Sequence, residues 1–308
     1  MPATPPSPPS VDVCIATYRR PAMLAALLAA LAGQRPGTLA PRVIVIDNDR
    51  DGSARPVVEQ ARAAGGPPLL YQIEPVQNIA LARNRALALC RAEFIAFIDD
   101  DETPCPGWLA ALLECAGRYQ ADVVFGPVHS VLPPHAPAWT TACFRKASLP
   151  TGAPVRVGGA GNVLLRRAAL AAGDGFDPAF GLTGGEDTDW FHRLHLRGRR
   201  LVWCAEAEVS EPVAELRLQP RWLRRRAFRS GQTYYRVFVR RYRAGASVLW
   251  FSTKLLQLLG GLALAPLLRV ASYPAYMALT LRLAGAAGQL SRCLGAADFE
   301  EYHARHHR

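Results

Sequence analysis

Short apolar stretches alternate along the first half of the chain with longer ones in which leucine, alanine and valine recur at helical spacing. Val11 to Thr17, Val43 to Ile46, Leu69 to Ile73 and Phe94 to Ile98 read as strands, and the segments from Pro21 to Leu31, Ala54 to Ala64 and Ala80 to Cys90 read as helices. Strands this continuously apolar are buried on both faces, so the alternation predicts an α/β doubly wound sheet flanked by helices. Beyond the fourth strand, Trp108 to Ala116 predicts a helix and Asp122 to Val128 a strand. The Pro-rich segment His129 to Pro154 predicts a long loop, either a functional lid or disordered. Gly158 to Arg167 (GGAGNVLLRR) predicts a strand whose leading glycines let another group approach its backbone. In Phe180 to Leu194 (FGLTGGEDTDWFHRL), Gly184 and Gly185 make a turn, and Glu186, Asp187 and Asp189 load the first turn of a helix, where the helix dipole favours acids.

Three of the strands stop at polar residues on one edge: Thr17 with Tyr18 and Arg19, Asp47 with Asn48, and Asp99, Asp100 and Asp101. Open α/β sheets bind ligands outside the carboxyl ends of their strands, so these residues mark a nucleotide crevice. Adjacent carboxylates raise one another's pKa unless cations neutralise them. Hard oxygen ligands at a strand end suit Mg²⁺ or Mn²⁺ carrying phosphates. A solvated acidic turn is the plainer reading of the same segment, and for Asp189 the plainer reading is dipole or capping duty.

The formal net charge of +11 is concentrated in one place. Ten arginines and no acidic residue lie between Arg217 and Arg243, while residues 1–216 carry a net −2. Behind this belt come two apolar runs, Leu255 to Leu268 and Val270 to Leu281, the second opened by a Ser-Tyr-Pro break. Neither run reaches the roughly twenty apolar residues of a membrane span. Two short apolar helices beside an arginine belt predict a peripheral or monotopic anchor on an anionic leaflet, and the alternative is a helical hairpin packed on the body. The seven cysteines form no CxxC pair and read as reduced core residues. MPATPPSPPS, at the N-terminus, lacks the basic and apolar regions of a signal peptide and is expected to be disordered.

In order, VDVCIATYRRP, VIVIDN, IALARNRAL, FIDDDE and GGEDTDW resemble the motifs of glycosyltransferase family 2, the inverting transferases of GT-A fold, over about Val11 to Tyr235. Further detail, IDND, GPV, GNVLL and RWLRRR, resembles the bacterial succinoglycan-biosynthesis glucosyltransferase branch, which builds lipid-linked oligosaccharide repeats. The resemblance implies a nucleotide-sugar donor, a UDP-hexose such as UDP-glucose, and a lipid-linked saccharide acceptor. It also implies Mg²⁺ or Mn²⁺, and a location on the cytoplasmic face of the bacterial inner membrane. Its domains are a lead over residues 1–10, a GT-A domain over 11–243 ending in the arginine-rich helix, and an apolar helical tail over 244–308.

Carried over residue by residue, Asp101 and Asp99 are implied as metal ligands and Asp187, with Glu186 second, as the base that deprotonates the acceptor. Thr17, Tyr18, Arg19, Asp47, Asn48, Asn78, Arg83, Asp99 and Asp100 are implied at the donor. Gly161, Asn162, Gly185, Trp190, Arg224 and Arg225 are implied at the acceptor or a phosphate. Processive relatives carry QxxRW; here Gln219-Pro220-Arg221-Trp222 sets the glutamine one place too close, so polymerisation is not expected. Asp99-x-Asp101-x-Thr103 also fits the DxDxT nucleophile motif of haloacid-dehalogenase-like phosphatases, but those place it on their first strand. A nucleic-acid-binding reading of the arginines with Trp222, Tyr234, Tyr235 and Tyr242 as stacking platforms is opposed by the apolar tail, so no nucleic-acid partner is expected.

Overall fold

The computed structural model describes residues 9–34, 41–145, 148–240 and 244–300. Most of the expected N-terminal lead, Tyr242 with the end of the arginine belt, and the last eight residues lie outside the described residues. The order is β1 (Val11–Thr17), α1 (Pro21–Ala32), β2 (Arg42–Asp47), α2 (Arg55–Ala63), β3 (Leu69–Ile73), α3 (Ile79–Leu89), β4 (Phe94–Ile98), β5 (Thr103–Pro104), α4 (Trp108–Arg118), β6 (Val123–Phe125), β7 (Val128–Val131), α5 (Thr141–Phe144), β8 (Asn162–Arg166), α6 (Glu186–Leu196), β9 (Leu201–Trp203), β10 (Val209–Pro212), α7 (Pro220–Tyr234), α8 (Ala244–Ala271) and α9 (Tyr273–Cys293). These elements form two compact units. The first comprises residues up to His129, Lys146–Leu182 and Glu186–Glu211; the second comprises Ser130–Arg145, Thr183–Gly185 and Pro212 onward.

In the first unit, a seven-stranded sheet runs in the order β3-β2-β1-β4-β8-β6-β9. Strands β1 to β4 are parallel, whereas β8 is antiparallel to both its neighbours, so the sheet is mixed. The period of two along each strand divides its side chains between two cores. Val13, Val43, Val45 and Ala96 join Leu24, Leu27, Trp108 and Leu112 of α1 and α4 on one face. Ile44, Ile46, Ile95 and Phe97 join Ala82, Trp190 and Phe191 of α3 and α6 on the other. Each such buried apolar side chain contributes about 1.5–3 kcal/mol. Truncating one to Ala costs about 2–5 kcal/mol once the cavity is included. Helix starts are set locally. Pro21 opens α1 and Asn78 caps α3 by accepting from the Leu81 amide at 3.0 Å.

The expected long loop at 129–154 is partly ordered. It contributes the end of β7, a 3₁₀ turn at Ala138–Thr140 and α5, and Pro154 bridges to Val202.

In the second unit, α7 lies along α9. A Cβ on Gly231 would strike the Gly285 carbonyl, and one on Gly288 the Phe228 carbonyl, so glycine lets these helix backbones approach closely. Since α7 packs on α9, the boundary between units falls at Pro212, where the sequence places it after residue 243. The tail also differs from expectation. The helix α8 begins at Ala244 and passes through Pro266 without ending, giving 28 residues where the apolar run alone suggests fourteen. Gly245–Ala271 is long and apolar enough, by length and composition, to cross a membrane. The Ser-Tyr-Pro break is real: Ser272 caps α9.

Candidate active site

Every polar strand end of the first unit that the pattern singles out lies at the carboxyl edge of β1, β2 or β4, which are neighbours in the sheet. At the end of β1, the buried Thr17 hydroxyl donates to Asp100 Oδ2 at 2.7 Å, tying β1 to β4. Tyr18 is half-buried, with the Arg19 guanidinium 5.3 Å from its ring centroid. Arg19 is exposed, has a left-handed backbone (φ 54°) and reaches Asp49 at 3.1 Å.

The end of β2 is closed on itself. Asp47 Oδ1 accepts from the Asp49 amide at 3.0 Å, while Oδ2 accepts from the Ala54 amide at 2.8 Å and the Tyr71 hydroxyl at 2.9 Å. Burial and the Asp47 charge together hold the Tyr71 hydroxyl well above its ordinary pKa. Asn48 donates to the carbonyls of Glu74 and Val76 and accepts from the Asn78 amide. Asp47 is fully buried and Asn48 nearly so, and the hydrogen bonds they make shape this loop. The Asn78 side chain likewise caps α3 and donates to the Pro178 carbonyl.

The end of β4 is open and over-charged. Asp100 and Glu102 are buried and Asp101 nearly so, while Asp99 keeps 40% of its side chain exposed. Burial, then the neighbouring Asp99 charge, raises Asp101 to about 6 and lifts Glu102 well above the usual carboxyl range. Burial likewise raises Asp100. Glu102 accepts from the Asp99 amide at 3.1 Å and so folds the acidic turn back on itself. Gly161 passes closely over it: a Cβ there would lie 2.5 Å from Glu102 Oε1 and 2.9 Å from Asp99 Oδ2. A Cβ on Gly159 would lie in ordinary contact with Asp187, at 3.6 Å from its Oδ2. Of the glycines before β8, it is Gly161 that the carboxylates require.

Two arginines answer this charge. Arg83, on α3, is buried; its Nη2 donates to Asp99 Oδ1 at 2.7 Å and its Nη1 to Glu186 Oε1 at 2.5 Å, and it stacks over Phe176. Burial alone would lower its pKa, but the charges of Asp99, Glu186 and Asp187 outweigh that and raise it. Arg20 Nη1 donates to Asp100 Oδ1 at 3.1 Å and to Asp101 Oδ2 at 2.9 Å. Glu186 and Asp187 open α6. Burial, then the Asp187 charge, raises Glu186 to about 7, and its Oε2 has no hydrogen-bond partner among the described residues. Asp187 is half-buried and accepts from the Thr188 amide at 2.6 Å.

The remaining expected residues lie elsewhere. Asn162 is buried, accepts from Trp108 Nε1 at 2.8 Å and donates to the carbonyls of Pro127 and Ala207. Trp190 is fully buried between Phe176 and Phe191. These side chains hold the sheet and the core. In the second unit, Gly185 has φ 96° and packs so closely on Thr233 that no Cβ fits. Arg224 reaches the Met277 sulfur at 3.8 Å, and Arg225 stacks over Phe299. The sequence reading passes over Arg20, gives Glu102 no role of its own, and takes Gly159 only together with the other glycines before β8. Arg20 stands one place beyond the residue singled out in TYRRP, and the direction of its side chain is decided only by the turn into α1.

Among the described residues no three His, Cys, Asp or Glu side chains form a closed metal cage. The donor set at β4 still fits a divalent ion of the Mg²⁺ class, which is held by one or two carboxylates and completes its coordination with substrate phosphates. The excess of buried negative charge that lifts Asp101 to about 6 is what such an ion would relieve.

The chain is 38% identical to the succinoglycan biosynthesis protein ExoM of Rhizobium meliloti (strain 1021), over 96% of each chain. It is 30% identical to the pre-mycofactocin glycosyltransferase of Mycobacterium tuberculosis over 74% of this chain and 48% of that one. In fold it is similar to the mannosyltransferase PcManGT of Pyrobaculum calidifontis, solved with GDP-Man and Mn²⁺, with a TM-score of 0.66 at 19% identity over 93% of this chain and 87% of that one. It is also similar to S. aureus TarS 1–349 in complex with UDP, with a TM-score of 0.52 at 16% identity over 95% and 94% of the two chains. Residues 12–170, which hold the ends of β1, β2 and β4 and the glycines before β8, match the model of glycosyl transferase family 2, and the chain belongs to that family.

Proposed function

We propose that the protein transfers a hexose, with inversion, from a nucleotide sugar to a lipid-linked saccharide in bacterial exopolysaccharide synthesis. The observation that carries this reading is the Arg83 bridge: one buried guanidinium joins Asp99, at the end of β4, to Glu186, at the start of α6. A displacement at a sugar carbon needs a leaving diphosphate on one face and a base on the other. Arg83 fixes the distance between Asp99, on the diphosphate side, and Glu186, the neighbour in sequence of the base Asp187. A divalent ion held by Asp101 and Asp99 would supply charge neutralisation for the diphosphate. Asp187 is the base, being half-buried beside Gly159, with its carboxylate held by the Thr188 amide. Glu186 is tied to Arg83, and its raised pKa keeps the pair of adjacent carboxyls from both carrying full charge. Thr17, through Asp100, ties the end of β1 to that of β4, where the nucleotide would lie.

The donor would be a UDP-hexose and the setting the cytoplasmic face of the bacterial inner membrane, by similarity to the exopolysaccharide relative. The exposed α8, with Leu256, Leu259 and Leu267 facing outward, supports membrane association, as does the arginine-rich α7. Incubation with a panel of nucleotide sugars and Mg²⁺ or Mn²⁺ tests the reading, with the anomeric configuration of the product read by NMR. Asp187→Asn should retain donor binding and lose roughly 10²- to 10⁴-fold in transfer. Lost donor affinity with retained turnover moves Asp187 to the binding site, and a product of retained configuration removes the inverting mechanism.

A further inference from the structure

The two arginines of the site differ in their freedom. Arg83 is 5% exposed, bonded to two carboxylates and stacked on Phe176. Arg20 is 37% exposed, and the side-chain contact that holds it at the site is one nitrogen, Nη1, shared between Asp100 and Asp101. Its backbone is fixed: Arg20 precedes Pro21 at the start of α1, and its carbonyl accepts from the Leu24 amide at 3.1 Å. The side chain can therefore turn without disturbing the helix.

We propose that Arg20 is a positioning residue that holds Asp100 and Asp101 in the donor-free enzyme and passes its guanidinium to the donor's diphosphate when a divalent ion takes Asp101. The proposal rests on the metal reading of Asp101 given above. Asp101 Oδ2 now faces Arg20 Nη1 at 2.9 Å, and a second cation on the same oxygen would be repelled by the guanidinium. Arg20 then releases Asp101. A planar guanidinium recognises phosphate in a bidentate manner, and the diphosphate that would accompany the ion is the partner available to it. Asp100 remains held by the Thr17 hydroxyl, so the carboxylate row keeps its shape during the exchange.

Such an exchange makes metal and diphosphate binding mutually dependent. An ion alone must displace Arg20 with nothing to receive it and binds weakly; an ion together with diphosphate binds well. The coupling is reciprocal by linkage. The test is calorimetric titration of Mn²⁺ into the full chain, wild type, Arg20→Met and Arg20→Lys, without nucleotide and then with saturating UDP or GDP. Arg20→Met removes the competing charge at similar length, so Mn²⁺ alone should bind at least tenfold more tightly than in wild type, and the gain that nucleotide gives should fall at least tenfold. Arg20→Lys keeps the charge and loses the fork, so Mn²⁺ alone should bind as in wild type, with a reduced gain from nucleotide. If Mn²⁺ alone binds Arg20→Met no more tightly than wild type, or both variants keep the full gain, the exchange does not occur. If wild type takes up no Mn²⁺ with either nucleotide, the metal reading fails and the proposal with it.

Discussion

The ends of β2 and β4 look alike in sequence, each a buried strand stopping at an acid, and the structure makes opposites of them. At β2, both oxygens of Asp47 are committed to donors within reach of its own loop, and Asn48 is bonded on both sides. At β4, Asp99 to Glu102 crowd four carboxyls into one turn, and burial first, with the neighbouring charges, raises Asp100, Asp101 and Glu102. A polar strand end that satisfies itself is scaffold; one that leaves charge over is built for something that arrives. The difference lies in backbone amides and neighbouring hydroxyls rather than in the acids.

The sharpest break in this comparison comes from Asp101→Ala. Transfer should fall by about two to three orders of magnitude, the scale on which one preorganised electrostatic partner of a developing charge acts. The melting temperature should hold or rise, because a buried carboxyl crowded by Asp99 is removed. Normal turnover with Mg²⁺ or Mn²⁺ would end the metal assignment. Asp47→Ala should do the reverse. It strands the Asp49 and Ala54 amides and the Tyr71 hydroxyl, each costing about 1–3 kcal/mol when left unmade. The melting temperature should drop by roughly 10 °C, while the protein that remains folded keeps measurable transfer. Equal stability of Asp47→Ala and wild type would show that the β2 loop is not self-supporting.

A smaller effect separates Glu186 from the β2 acids by pH. Its carboxyl titrates near 4.5 when unfolded and at about 7 in the fold. Between those values the folded chain holds a proton that the unfolded chain has released, so stability falls as pH rises from 4.5 to 7, by on the order of 3 kcal/mol. Glu186→Gln carries no such proton. Melting curves of the two proteins should therefore move apart in the variant's favour by roughly 5 °C across that range. A constant difference at all pH values would mean that burial does not burden this carboxyl.

Much of this is legible in the chain. The period-two and period-3.6 patterns locate β1 to β4 and α1 to α3 to within a residue or two, because both cores demand apolar side chains at fixed intervals. Asp99, Asp101, Glu186 and Asp187 stand out in the sequence as a row of acids at the end of a buried strand and a pair after a Gly-Gly turn. The features that stay hidden are those decided by direction and company. Asn162 sits in a motif, yet its amide is bound by Trp108, Pro127 and Ala207, which come together only in the folded sheet. Trp190 comes soon after the ED pair, and the helical turn carries it inward. The length of α8 is hidden because its first third, Ala244 to Lys254, is less apolar than the stretch from Leu255 to Leu268 and still helical.

The smallest effect belongs to the rim. Arg19 and Asp49 form an ion pair at 3.1 Å, as short as the contact from Arg20 to Asp100, but Arg19 is largely exposed. Solvent screens such a pair, and holding a long side chain in place costs entropy. Arg19→Ala should therefore move the melting temperature by no more than about 2 °C. The sign of what remains is fixed by Asp49. Burial pushes its carboxyl up, but Arg19, the Asp51 amide and Ser53 outweigh burial and hold it below 3.8. A group lowered in the fold stabilises it above its unfolded pKa and loses that contribution as pH falls through the folded one. Any advantage of wild type over Arg19→Ala should thus be present at pH 7, fade as the solution becomes more acid than the ordinary carboxylate range, and shrink at high salt. A drop as large as that of Asp47→Ala would place Arg19 in the scaffold of the loop and erase the contrast between this exposed arginine and the buried donors of Asp47.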